Sequence, residues 1–307
     1  MSSAGAEHQN RTRRGLGDRP YLLLSLTSLF WAANTVLGRF VVGHIPPASL
    51  AFIRWMGAFL ILLPFAAPYL ARDWPTIRRN AWLMTLLSVT GFSAYNALAY
   101  YALQYTTAIN GLLLLSISPL FVAMWSFALF GDRLTLRQFA GICVSFAGVL
   151  VIVGRGSIGT LVNVGLNRGD LILIAALVAY AYYTAALRTR PPMHQLSFLA
   201  VGMGWGAVFL IPFSTWEIVS GETFVLDALT VAIAIFVCIF PSILAYLCFN
   251  RGVDLIGANR AAPFLYLIPV FGSAMAIALL GEHFELYHGL SYMLIIAGIA
   301  VATRQQH

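Results

Sequence analysis

The sequence predicts an all-α integral membrane protein: ten transmembrane helices, arranged as two five-helix repeats of inverted topology around a central cavity. Three observations predict it. The 307 residues are 60% hydrophobic and 9% charged, with a mean hydropathy of +0.83, whereas a soluble domain carries roughly 25% charged residues. Apolar runs recur at the length needed to cross a bilayer, and the second half of the chain echoes the first at a fixed offset.

A helix rises about 1.5 Å per residue, so about 20 apolar residues cross a hydrocarbon core of roughly 30 Å. Ten such runs are bounded by charged or turn residues: 21–43, 48–70, 81–103, 108–130, 136–154, 170–187, 196–213, 228–249, 258–280 and 286–302. They must be helices, because strand edges in lipid would leave amides unsatisfied. Residues 1–20, with Arg11, Arg13, Arg14 and Arg19, read as a disordered tail. The apolar run after them is too long for a cleaved signal core and reads as a retained first span. The first repeat is assigned to 21–154, a connecting loop to 155–169 and the second repeat to 170–303.

The net charge of +7 comes from 18 arginines, with no lysine, against 11 acids. The arginines sit in short gaps between apolar runs and form no single basic face, so they signal topology and not nucleic-acid binding. Placing both termini in the cytoplasm puts 14 of them on the inner side and only Arg39, Arg155 and Arg168 outside. Arg54 lies within the second span, and the outer loops hold Glu217, Glu222, Asp227, Glu282 and Glu285. Cys143, Cys238 and Cys248 lie in apolar runs without metal or redox spacing, which reads as packing. No cofactor or metal is expected.

An offset of 150 pairs Pro119 with Pro269, Phe121 with Phe271, Gly131-Asp132 with Gly281-Glu282, and Ala147-Gly148 with Ala297-Gly298. An offset of 149 pairs Thr35 with Thr184 and Arg39 with Arg188. Because five spans are an odd number, the second copy enters the membrane from the opposite side, as in many secondary transporters.

At these residues the chain resembles the drug/metabolite transporter superfamily, and within it the ten-span EamA-type members. The resemblance is carried by Trp31, Arg39 and Arg54, by AINGLLLLSISPLFVAMWSFALFGDRLT from Ala108 to Thr135, and by ANRAAPFLYLIPVFGSAMAIALLGE from Ala258 to Glu282. It implies a transporter in the bacterial inner membrane, with a cavity lined by the first, third, fourth, sixth, eighth and ninth spans. Within that group the chain looks most like exporters of aromatic and other neutral amino acids.

An ionisable group at membrane depth is costly and usually functional. The acids and histidines fall in loops or at span ends, and Arg54 alone sits inside a span. Two readings of Arg54 stay open: a side chain snorkelling to the interface, or a group that binds a substrate carboxylate or forms an outer gate. Without a buried acid, export of cationic drugs by a membrane carboxylate is disfavoured, and facilitated movement without proton coupling is expected. One arginine is thin provision for phosphorylated substrates.

A neutral or zwitterionic ligand calls for aromatic faces and a few hydrogen-bonding groups. The repeat selects candidates. Trp31 and Asn34 correspond to Tyr180 and Tyr183; Asn96 and Tyr100 correspond to Tyr246 and Asn250; Ser116 corresponds to Tyr266. Helix cross-linking is the competing role for each. Tyr95, Tyr101, Trp125 and Tyr182 are weaker candidates, and Trp55, Trp74, Trp82 and Trp216 read as interfacial belt residues. Pro119 and Pro269 are expected to break equivalent helices mid-span, for packing or for gating.

The chain has no His-Glu-x-x-His pair and no Gly-x-Ser-x-Gly elbow, so no enzyme class is indicated. A channel or receptor is a further alternative, and export of other small neutral metabolites or drugs is the main rival. A working monomer is expected, since both halves lie on one chain.

Overall fold

The computed structural model describes residues 18–132, 135–153, 155–157, 167–222, 226–256, 264–265 and 267–303. Most of the expected tail and most of the connecting loop lie outside them. Every regular element among the described residues is helical. The first half contains α1 (Pro20–Phe40), α2 (Pro47–Arg79), α3 (Ala81–Ser88), α4 (Tyr95–Ala102), α5 (Ala108–Leu115), α6 (Ser118–Phe130) and α7 (Leu136–Val153). The second contains α8 (Arg168–Ala186), α9 (Gln195–Val219), α10 (Ala228–Cys238), α11 (Ala245–Ile256), α12 (Leu267–Leu280) and α13 (Leu286–Thr303).

Five helical units are long and apolar enough to cross a bilayer: α1, α2, Arg168–Thr189, α9 and Ala228–Ile256. The pair α5 and α6, bent by 41°, makes a sixth. The other expected spans are shorter or interrupted, so helix length alone does not reproduce the count of ten.

Wide π-type turns join α3 to α4 (Val89–Ala94) and α10 to α11 (Ile239–Leu244), and the same offset of 150 relates them. The second has a local cause. Pro241 lacks an N–H, so it cannot bond the carbonyl four residues back, and Ser242 Oγ donates to that Val237 oxygen instead, at 2.7 Å. The offset also relates Gly131 (φ 71°) and Gly281 (φ 65°), which follow α6 and α12 in the left-handed region that a Cβ disfavours.

The inversion is visible in packing. Ser145 Oγ donates to the Ile295 carbonyl at 3.3 Å, and Ser291 Oγ to the Gly148 carbonyl at 2.8 Å, so the equivalent helices α7 and α13 run antiparallel. The equivalent pair α2 and α9 also runs antiparallel, with Ser49 meeting Ser214 (3.0 Å) at one end and Asp73 meeting Ser197 (2.8 Å) at the other. Their ends cap each other. Glu217 of α9 accepts from the backbone N–H groups of Ala48 and Ser49, both at 2.8 Å, and Asp73 of α2 accepts from His194 N at 2.8 Å. A carboxylate there satisfies donors that a helix start leaves free. Gly202 and Gly204 allow close contact: a Cβ would lie 2.6 Å from the Phe92 ring at the first and 3.0 Å from Phe59 at the second.

The two ends of the bundle differ in charge. At the acidic end Glu282 accepts from Ala108 N (2.7 Å) and Ile109 N (2.9 Å), capping α5. A directed chain runs beside it. Glu285 N–H donates to His288 Nδ1, so Nε2 carries the proton given to Asn110 Oδ1. Asn110 in turn donates to Thr106, and Thr106 to Asp170. The acids and histidine do lie at helix ends as expected, yet Asp170, Glu217 and His288 are buried there. Apolar packing of Val36, Ile109, Leu112, Leu113 and Leu173 completes this end.

Candidate functional site

Between the two copies lies a cavity of about 560 Å³, within the roughly 300–1,000 Å³ typical of small-molecule sites. Its wall brings together Trp31 and Asn34 from α1, Arg54 from α2, Asn96 from α4, Ser116 after α5, Tyr180 and Tyr183 from α8, Tyr246 and Asn250 from α11, and Pro269 from α12. α2 and α9 contribute wall residues, Arg54 and Phe198 among them, beyond the six spans that the resemblance implied. The wall continues to Gln195 and the exposed Arg190 at the arginine-rich end.

The π-type turns position much of this wall. Carbonyls freed by the wide turns are taken by side chains: Trp31 Nε1 donates to Pro241 O at 3.1 Å, while Trp55 Nε1 (2.8 Å) and Asn96 Nδ2 (2.9 Å) share Phe92 O. Gly91 admits the Tyr183 ring, which would stand 2.4 Å from a Cβ there. The rings form a connected set. Trp31 meets Tyr246 edge-on at 5.7 Å, Tyr95 meets Tyr180 at 4.5 Å and Tyr180 meets Tyr183 at 5.6 Å.

Arg54 is 4% exposed. Its side chain turns inward, against the snorkelling reading. Nε donates to Ser242 Oγ (2.8 Å), and Nη1 donates to Asn96 Oδ1 (2.7 Å) and Tyr100 OH (3.1 Å). The guanidinium also lies 4.5 Å from the centroid of the Trp55 ring. Tyr100 passes its own proton to Asn34 Oδ1 at 2.7 Å. Tyr100 is therefore a support that orients two wall residues, and it borders only a small void beside the main cavity.

Several expectations change. The break expected at Pro119 is present in the fourth span, which bends by 41° where α5 ends at Leu115 and α6 begins at Ser118. Pro119 itself stands in the first turn of α6, where a missing N–H costs nothing. Pro269 stands in the first turn of α12, most of the preceding residues lying outside the described ones. The chain is interrupted just before α6, between Leu115 and Ser118. Tyr266 and the Pro119 side chain lie outside the described residues. Trp55 is no belt residue, being fully buried, whereas Trp74, Trp82 and Trp216 are exposed. Trp125 and Tyr182 meet edge-on at 5.1 Å, and Trp125 donates to Val178 O, so they join helices away from the cavity wall. Tyr101 is exposed and bonded to Tyr105.

Sequence reasoning passed over Thr35 and Thr184, which both line the cavity. Their pairing at offset 149 was the available signal. Tyr95 lines it too, without a polar counterpart. Ser242, which holds Arg54, had no sequence signal, because its importance depends on a π-type turn.

The geometry is that of a two-copy helical carrier, and the profile of the EamA-like transporter family matches residues 19–154 and 167–304. The chain belongs to the EamA-like transporter family. This EamA protein is a membrane transporter and not an enzyme. It is similar to the uncharacterized transporter YyaM of Bacillus subtilis, with 29% identity over 92% of this chain and 93% of that one. An uncharacterized transporter of Archaeoglobus fulgidus is 28% identical over 95% and 100%. A probable terminal-alkyne amino-acid exporter of Streptantibioticus cattleyicolor is 27% identical over 84% of each chain. One solved crystal structure superposes with a TM-score of 0.60 at 19% identity, covering 92% of the EamA protein and 96% of that chain, a likeness of fold.

Proposed function

We propose that this EamA protein exports neutral amino acids, chiefly aromatic and other hydrophobic ones, across a bacterial inner membrane by alternating access. The observation that carries the reading is the cavity between inverted copies, walled by Trp31, Tyr180, Tyr183 and Tyr246 with neutral polar groups between them. Aromatic faces suit apolar side chains, and amides and hydroxyls suit the polar end of an amino acid. The relative named as an amino-acid exporter supports the same substrate class.

No Asp or Glu stands among the described wall residues, which favours movement down the substrate gradient without proton antiport. Both termini are assigned to the cytoplasm on the arginine asymmetry, and the protein works as a monomer with no nucleic-acid partner. The test is counterflow of labelled phenylalanine, leucine and serine in proteoliposomes, with and without an imposed pH gradient. Saturable exchange of the first two, insensitive to the gradient, is expected. Uphill accumulation driven by pH would remove the facilitative reading, and transport of lipophilic drugs without amino acids would favour the rival substrate class.

A further inference from the structure

We propose that Arg54 anchors a substrate carboxylate, so that the solute carried must present an acid group as well as an apolar body. This deepens the proposed function and rests on the cavity being the transport site. A guanidinium buried in a membrane protein is costly unless paired. The described hydrogen-bond partners of Arg54 are Ser242, Asn96 and Tyr100, its one ring contact is Trp55, all are neutral, and among the described residues no ion pair reaches it.

The donor count makes the match specific. Arg54 has five N–H groups. Nε and the two hydrogens of Nη1 are used, while Nη2 makes no hydrogen bond to any described residue. Nη2 is not among the fully buried side-chain atoms that lack a partner, so it keeps accessible surface, and Arg54 lines the cavity. A carboxylate is the acceptor that matches a guanidinium edge in charge and geometry.

Neighbouring groups fit the same ligand. Tyr100 donates to Asn34 Oδ1, so the acceptor of this wall amide is used and its NH2 group remains as a further donor. Among the described wall residues no acid offsets the charge of Arg54, and Arg190 adds a second positive charge farther off, at the arginine-rich end of the cavity. An ammonium group on the same solute would be met by the faces of Trp31, Tyr180 and Tyr246. Arg54 also breaks the repeat. The second copy carries Gly202, Met203 and Gly204 near the equivalent turn, so the anchor is one-sided and orients the solute.

The experiment compares matched solutes in proteoliposomes of the full chain, against empty liposomes: phenylalanine, N-acetylphenylalanine and its neutral isostere N-acetylphenylalaninamide. The wild type is expected to move the acid over the amide by roughly tenfold or more, because a site built for one polar group rejects the analogue lacking it. Arg54→Gln should bring that ratio towards one, and Arg54→Lys should restore part of it. A role in cross-linking helices alone would lower all fluxes without changing the ratio. Equal wild-type flux of acid and amide, or a ratio retained by Arg54→Gln, overturns the anchor. If Arg54→Gln does not fold, the wild-type series decides alone. Transport of N-acetylphenylalanine without phenylalanine would remove the amino-acid reading and leave the anchor standing.

Discussion

At the scale of single residues, Ser242 shows how little of a site a side chain's identity reveals. It sits in an unremarked Ile-Phe-Pro-Ser-Ile stretch, yet its hydroxyl accepts from Arg54 Nε and donates to the Val237 carbonyl that Pro241 cannot reach. Ser242→Ala leaves two buried groups without a partner, and such a loss costs about 1–3 kcal/mol for each. A lowered melting temperature in detergent, with the acid-to-amide transport ratio largely kept, is the expected result. An unchanged melting temperature would mean that water replaces the hydroxyl. Arg54 was legible as the one charge inside a span. Its inward aim was not, because a long side chain near a helix start reaches either the interface or the centre, and neighbouring helices decide which.

At the scale of elements, the pair α2 and α9 is held at both ends by carboxylates on backbone N–H groups. Removing Glu217 leaves the start of α2 uncapped, so Glu217→Ala should destabilise by about 1–2 kcal/mol. Asp73→Ala should likewise lower the melting temperature. The two caps sit roughly 36 Å apart along α2 by helical rise, so the double variant should show the sum of the single effects. A marked departure from additivity would show that the caps act through one concerted opening. The helices themselves were legible in the length of the apolar runs. The π-type turns were not: the position equivalent to Pro241 in the first copy is Gly91, where the Tyr183 ring packs and the Phe92 carbonyl is taken by Trp55 and Asn96.

At the scale of the whole molecule, the repeat predicts a second state. Glu282 caps α5 at the acidic end, while its equivalent Asp132 pairs with Arg188 at 2.7 Å on the exposed arginine-rich end. The cavity wall runs to that second end, at Arg190 and Gln195. On the proposed alternating-access mechanism the opposite opening exchanges the roles of equivalent residues, which predicts that Glu282 releases α5 as the acidic end opens. Glu282→Ala should therefore shift the population away from this state. Maleimide labelling of Gln195→Cys, in a background without the three native cysteines, should slow in the Glu282→Ala variant. Unchanged labelling would show that the α5 cap does not hold the closed end.

The sequence alone determined that the chain lives in lipid and that its halves are duplicated and inverted, and it offered a set of aromatic and amide candidates for the centre. Composition, span length and an odd repeat are properties of the chain itself, and they leave few arrangements that satisfy every backbone group in a bilayer. Tertiary structure decided the rest. Whether Arg54 reaches lipid or cavity and whether Tyr100 is wall or support depend on which neighbouring helix supplies an acceptor, and that partner lies tens or hundreds of residues away along the chain.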